Sequence, residues 1–226
     1  MENHTCRLCK LKSNAAKKLS NDQLDVLEKG HAEVSFKAGE IIIKQNALST
    51  NVTYIKSGLV KIHKTDFEKE RILKIIKAPA YICLPSNFSE KINQFSATAL
   101  ADTIVCFLDL AVFKKFIYEN GDFAYQIILD MSKNELRNFQ TCLNHAQKQT
   151  TGRIAECILY FANEIYENDM FTLPFSRQDL GDIAGTTRES ASRTLTEFHN
   201  EKIIQLDGKK ITILNEKLLR QISEKG

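Results

Sequence analysis

The hydrophobic period of this chain changes once, at Asp109. From about Val34 to Leu108, β-branched and apolar residues come in short runs: Glu40–Lys44, Val52–Ile55, Leu59–His63, Ile72–Ile76, Ser96–Leu100 and Thr103–Leu108. Turn residues such as Lys37-Ala38-Gly39 and Ser57-Gly58 separate them. Beyond Asp109 apolar residues return every three or four positions, first over Leu110–Ile117 and then over Asp122–Gln147. Side chains alternate sides along a strand and return to one face about every 3.6 residues along a helix, so no regular element runs through that point. The expected fold is therefore α+β, with a strand-rich first half closing as a β-roll of the jelly-roll kind and helices after it.

At 226 residues the chain is long enough for two cores. With 43% hydrophobic and 26% charged residues it falls outside the disordered and fibrous classes. The opening residues are polar, and no apolar run approaches the roughly 18 residues of a membrane span, which points to a cytoplasmic protein without a membrane partner. Six cysteines lie scattered, Cys83 and Cys106 among them in apolar runs, as reduced core thiols would. The net charge of +3 permits an acidic partner without requiring one.

Within the long helical segment Leu129, Leu136 and Leu143 recur every seventh residue, with Ser132, Phe139 and Ala146 at the second seam position. That pattern predicts a dimerisation helix; an amphipathic helix lying on its own domain's core is the other reading.

From Thr150 the pattern is helix, short strand, two helices, hairpin and final helix. Ser176 with Asp179, and Thr186 with Glu189, have the spacing of a capping box, with Gly185 between the two helix starts. Asp207-Gly208 between two alternating runs predicts a hairpin. Two helices joined through a glycine-containing turn and followed by a hairpin outline a winged helix-turn-helix. On the second helix Arg188, Glu189, Ser192 and Arg193 fall on one exposed side while Ala191, Leu195 and Phe198 turn inward. Arginine can donate two hydrogen bonds to guanine and glutamate can accept one from cytosine, so this face suits base reading in a major groove. Arg177, Thr187, Lys209 and Lys210 are placed to hold phosphates. A solvated helix with paired charges is the alternative.

The segment Phe175–Ile204, together with Phe36-Lys37-Ala38-Gly39-Glu40 and Tyr54-Ile55-Lys56-Ser57-Gly58-Leu59-Val60-Lys61-Ile62, resembles the Crp/Fnr family of bacterial transcription regulators. The resemblance covers nearly the whole chain beyond Ser20. It implies an N-terminal segment (1–20), a cyclic-nucleotide-binding-like roll that senses an effector (21–121), a dimerisation helix (122–147) and a winged-helix DNA-binding domain (148–226). It further implies a non-enzymatic homodimer that reads an inverted repeat with TGA-like half-sites on double-stranded DNA and works with RNA polymerase. A ligand-binding roll without DNA regulation is the rival reading.

The effector is unknown from the sequence. Cyclic-nucleotide binders of the family hold the phosphate with a Gly-Glu segment and an Arg-Ser pair; here Ala78–Phe88 lacks Gly-Glu and Phe95-Ser96 replaces Arg-Ser, so cAMP is not expected. Tyr81, Cys83, Leu84, Phe88, Phe95 and Ser96 are the candidate pocket residues, forming an apolar or filled site. Cys6-x-x-Cys9 resembles the oxygen-sensing branch, whose iron–sulfur cluster needs four thiolates, Cys83 or Cys106 being the residues that could add to the pair. No metal site is expected, and a structural pair, a thiol switch, zinc and a cluster all stay open. Haem, with Met131 or His145 as axial ligand, is a further family option.

Overall fold

The structure, a computed structural model, describes residues 6–67, 69–89 and 92–226; the first five residues of the expected N-terminal segment lie outside it. The chain forms two compact units whose principal boundary lies between Leu136 and Arg137.

In the first unit, helix α1 (Asn21–Lys29) starts at Ser20, whose hydroxyl accepts from the Gln23 amide while Gln23 reaches back to the Ser20 amide. Eight strands follow: β1 (His31–Phe36), β2 (Ile41–Ile43), β3 (Asn51–Ser57), β4 (Leu59–Asp66), β5 (Lys69–Lys77), β6 (Ala80–Ile82), β7 (Ser96–Ala99) and β8 (Thr103–Asp109). They form two four-stranded sheets, ordered β1-β8-β3-β6 and β2-β7-β4-β5, with antiparallel pairing. Between β6 and β7 lies a short helix, α2 (Leu84–Ser89), which the strand pattern did not foreshadow. The β3–β4 turn requires Gly58, at φ +106°, because a Cβ there would come within 2.7 Å of the Thr103 Cα.

Alternation along β3 and β8 divides two cores. Ile55 and Val105 point between the sheets, where they meet Ile43, Val60, Ile62, Ile82 and Ala97. Val52, Tyr54 and Leu108 point outward, under α1, α2, helix α3 (Leu110–Glu119) and the first turns of helix α4 (Gly121–Gln147), and pack with Leu24, Phe113, Phe116 and Phe123. Asp109 caps α3 by accepting from the amides of Ala111 and Val112, which is why the period changes there.

In the second unit, helix α5 (Thr150–Tyr160) continues as a π-helical turn over Phe161–Tyr166. Strand β9 (Met170–Thr172), helices α6 (Arg177–Ile183) and α7 (Arg188–Asn200), strands β10 (Ile204–Asp207) and β11 (Lys210–Ile213) and helix α8 (Glu216–Lys225) complete it. The three strands order as β10-β11-β9. Among the described residues, no helix is long and apolar enough to cross a membrane.

Candidate nucleic-acid interface

Helices α6 and α7 form the predicted pair. Ser176 caps α6 through the reciprocal box with Asp179. The cap of α7 is one residue later than its sequence spacing suggests. Thr187, not Thr186, accepts from the Ser190 amide, and no reciprocal bond from Glu189 completes a box. Thr186 instead closes the turn, donating its amide to the Gly181 carbonyl at 2.8 Å. Gly185, at φ +60°, takes the left-handed conformation on which that turn depends.

This cap leaves Arg188, Glu189 and Arg193 exposed on the first two turns of α7, with Ser192 half-buried beside them. Ala191, Leu195 and Phe198 are buried, as is Thr194. Among the described residues Arg188 and Glu189 make no side-chain hydrogen bond or ion pair. Arg193 lies 3.9 Å from Glu197 in an exposed pair one turn on, an interaction weak enough to yield to a ligand.

Arg177 is more than a surface cation. Its Nη2 donates to the Gly208 carbonyl in the β10–β11 turn at 2.7 Å, and its Nη1 is buried without a partner among the described residues. Burial lowers its pKa from the usual guanidinium value, which leaves it charged at neutral pH. Phe175, Ser176, Arg177, Gln178, Arg188 and Lys209 line one recess of about 300 Å³. Three cations around one hollow suit a phosphate group. The sequence order did not show that Arg188 shares this recess with Arg177 and Lys209; that follows from the wing folding back on α6. Lys210 and Thr187 are exposed nearby in the fold, outside the recess lining.

Along α4 the heptad residues remain on the surface. Leu136, Phe139 and Leu143 are 69%, 59% and 50% exposed, Ser132 and Ala146 are exposed, and Leu129 is half-buried. Tyr125 and Ile128, which the heptad reading left out, extend the same apolar exposure toward the start of the helix.

The six candidate pocket residues do not gather around one cavity. Leu84 belongs to the outer core with Tyr81 packed against it, whereas Cys83 and Phe95 pack against the core between the sheets. Phe88 is partly exposed, and Ser96 is buried with its hydroxyl accepting from the Gln45 amide at 3.0 Å. What the sequence order concealed is a different cavity, under residues 6–16, where Cys6, Cys9, Cys106, His31, Glu33 and Tyr81 meet. Cys106 thus joins the Cys6-x-x-Cys9 pair and Cys83 does not. Cluster ligation takes four thiolates. Among the described residues, no group of three or more His, Cys, Asp or Glu side chains is placed so as to hold a metal ion together. For haem, His145 contacts the Ile183 carbonyl at 3.2 Å, and Met131 lies four helical turns away from it on α4.

Comparison with known proteins agrees with this geometry. A family model described as a cyclic nucleotide-binding domain matches residues 33–120, and one described as a Crp-like helix-turn-helix domain matches residues 152–222. The nitrogen fixation regulation protein FixK of Bradyrhizobium diazoefficiens is 24% identical over 221 residues, covering 94% of this chain and 91% of that protein. The cAMP-activated global transcriptional regulator CRP of Escherichia coli O157:H7 is 27% identical over 178 residues, covering 76% of this chain and 84% of that protein. The solved structure of FixK2 from Bradyrhizobium japonicum shares the fold, with a TM-score of 0.75 at 24% identity over 85% of this chain and 96% of that one. The first of these relatives regulates nitrogen fixation and the second regulates transcription. The chain belongs to the Crp/Fnr family of DNA-binding transcription regulators.

Proposed function

We propose that the protein acts as a homodimer, joined through α4, that reads an inverted repeat with TGA-like half-sites on double-stranded DNA. The observation that carries this reading is the exposure of Arg188, Glu189 and Arg193 at the start of α7, with Arg188 also lining a recess shared with Arg177 and Lys209. The α7 side chains supply the guanine and cytosine contacts, and the recess takes a backbone phosphate that fixes the register of the helix. Two-fold symmetry then sets half-site centres roughly one helical turn, about 34 Å, apart.

The roll, residues 21–121, is the sensing domain in this reading, and its signal is not cAMP. A cyclic phosphate needs a cation and free backbone donors. The Gly-Glu segment that supplies donors in cyclic-nucleotide binders has no counterpart over Ala78–Phe88, and Phe95, in place of the arginine, packs against the apolar core between the sheets. A regulator of this kind works in the cytoplasm alongside RNA polymerase.

The test is fluorescence anisotropy with a labelled inverted repeat containing TGA cores, against a scrambled duplex at the same salt concentration. Preferential binding with a stoichiometry of two chains per duplex is the expected result. Equal binding to both duplexes, or none to either in reduced and oxidised protein, overturns the reading.

A further inference from the structure

Strand β10 is an edge of its three-stranded sheet, paired with β11 on one side and open on the other. Leu206 faces Ile211 across that pair, and Asp207 and Lys210 close the hairpin. Bonded and non-bonded pairs alternate along an antiparallel ladder, so successive amides of β10 point in turn to β11 and to the open edge. The Leu206 amide points to the open edge. There it donates to Nδ1 of His199, in the last turn of α7, at 3.2 Å.

The wing is held at two other levels. At its base the Ile203 amide donates to the Phe198 carbonyl at 2.9 Å, where α7 gives way to β10. At its tip Arg177 holds the Gly208 carbonyl, and the Leu173 amide donates to the Lys209 carbonyl at 3.0 Å. His199 ties the stretch of β10 between that base and the turn that carries Lys209.

The direction of the bond fixes the state of the ring. A backbone amide can only donate, so Nδ1 is the acceptor and the neutral ring carries its proton on Nε2. A second proton can go only to Nδ1, where it sets two N–H groups against each other. The residue is exposed, so solvent can deliver that proton without unfolding. The charged groups adjoining it are Glu201 and Lys202, where α7 ends, and Asp207, beside Leu206 on β10. Among the described residues no side chain of α5 or α6, the other elements packed on α7, bonds or pairs with the imidazole.

We propose that His199 is a positioning residue for DNA reading, whose unprotonated Nδ1 holds β10 and thereby the wing that carries Lys209, so that operator binding weakens when the ring takes up a proton. The bond to Leu206 belongs to the fold; its effect on affinity rests on the DNA-reading function proposed above.

The experiment measures operator affinity of the full chain by fluorescence anisotropy at about pH 8 and about pH 5.5, on either side of the range in which imidazoles titrate. Wild type is compared with His199→Ala and His199→Asn. Asparagine sets an acceptor that does not titrate, Oδ1, two bonds from Cβ, as Nδ1 is. At the higher pH His199→Asn is expected to bind like wild type and His199→Ala about fivefold more weakly. At the lower pH wild type falls to the level of His199→Ala, while His199→Asn keeps its affinity. Lys209→Ala weakens wild type and adds little in the His199→Ala background, because the two residues act through one contact. Parallel pH responses of wild type and His199→Asn, or an equal cost of Lys209→Ala in both backgrounds, would overturn the proposal. Hydrogen exchange at the Leu206 amide, followed by NMR in the free protein, reads the bond itself. Protection lost in His199→Ala and kept in His199→Asn is expected; equal protection in all three chains removes the anchor. If protection follows the variants while no chain binds any operator, DNA reading fails and the anchor stands.

Discussion

Arg177 donates to the backbone carbonyl of Gly208 at 2.7 Å, so the first residue of α6 holds the turn of the wing. One side chain thereby ties down the turn that carries Lys209, beside the recess that Arg177, Arg188 and Lys209 line, with its second guanidinium nitrogen buried. Replacing Arg177 by Ala should lower stability by about 1 kcal/mol through the lost hydrogen bond. It should also reduce the salt dependence of DNA binding by about one counterion. Arg177→Lys should keep the charge and lose the tie to Gly208, separating the two effects. Chemical denaturation and salt titrations of operator binding measure them.

Arg188 and Arg193 should behave as readers of sequence. Arg188→Ala and Arg193→Ala are each expected to cost roughly 1–3 kcal/mol at the preferred site and to relax selectivity at one base-pair position. Competition with single-base operator variants checks this. Uniform loss across all variants would make the residue a phosphate contact, and Arg188, which also lines the recess, is the one whose two roles this separates.

The cap of α7 gives a test at the level of stability. Thr187→Ala should cost about 1 kcal/mol because the Ser190 amide loses its acceptor. Thr186→Ala should cost less, since Thr186 contributes to the turn through its backbone amide. Urea denaturation of the two variants compares them directly.

The apolar stripe on α4 should set the oligomeric state. Leu136→Glu combined with Phe139→Glu is expected to give a monomer with the roll still folded, because both side chains lie on the surface of the chain. Sedimentation velocity reads the mass, and circular dichroism reads the fold.

Buried thiols predict a loss of stability at alkaline pH. Burial pushes Cys157 in α5 up from 9.0 to about 12, with Glu156 adding to the effect. Between those values the unfolded chain releases a proton that the folded chain retains, so stability falls as pH rises through that window, by up to about 1.4 kcal/mol per pH unit for each such group. Cys157→Ala should flatten the decline, measured as denaturation midpoints at pH 8, 9 and 10.

The sequence alone determined the change from strands to helices at Asp109 and the faces of the helices beyond it, though not helices α1 and α2. Period two before Asp109 and helical period after it reflect local backbone geometry, which neighbouring residues set by themselves. For the same reason the buried Ala191, Leu195 and Phe198 and the exposed Arg188, Glu189 and Arg193 could be read from spacing. Tertiary structure decided what depends on partners distant in the chain. The α7 cap moved to Thr187 because Gly181 engages the Thr186 amide. Arg177 became a wing anchor because the β10–β11 turn folds back onto α6. The candidate pocket residues divided between two cores, Tyr81 and Leu84 joining the outer one while Cys83, between them in the chain, packs between the sheets. Cys106 met Cys6 and Cys9 across about a hundred residues because β8 lies at the centre of a sheet whose outer face the N-terminal segment covers, a juxtaposition that no local pattern encodes.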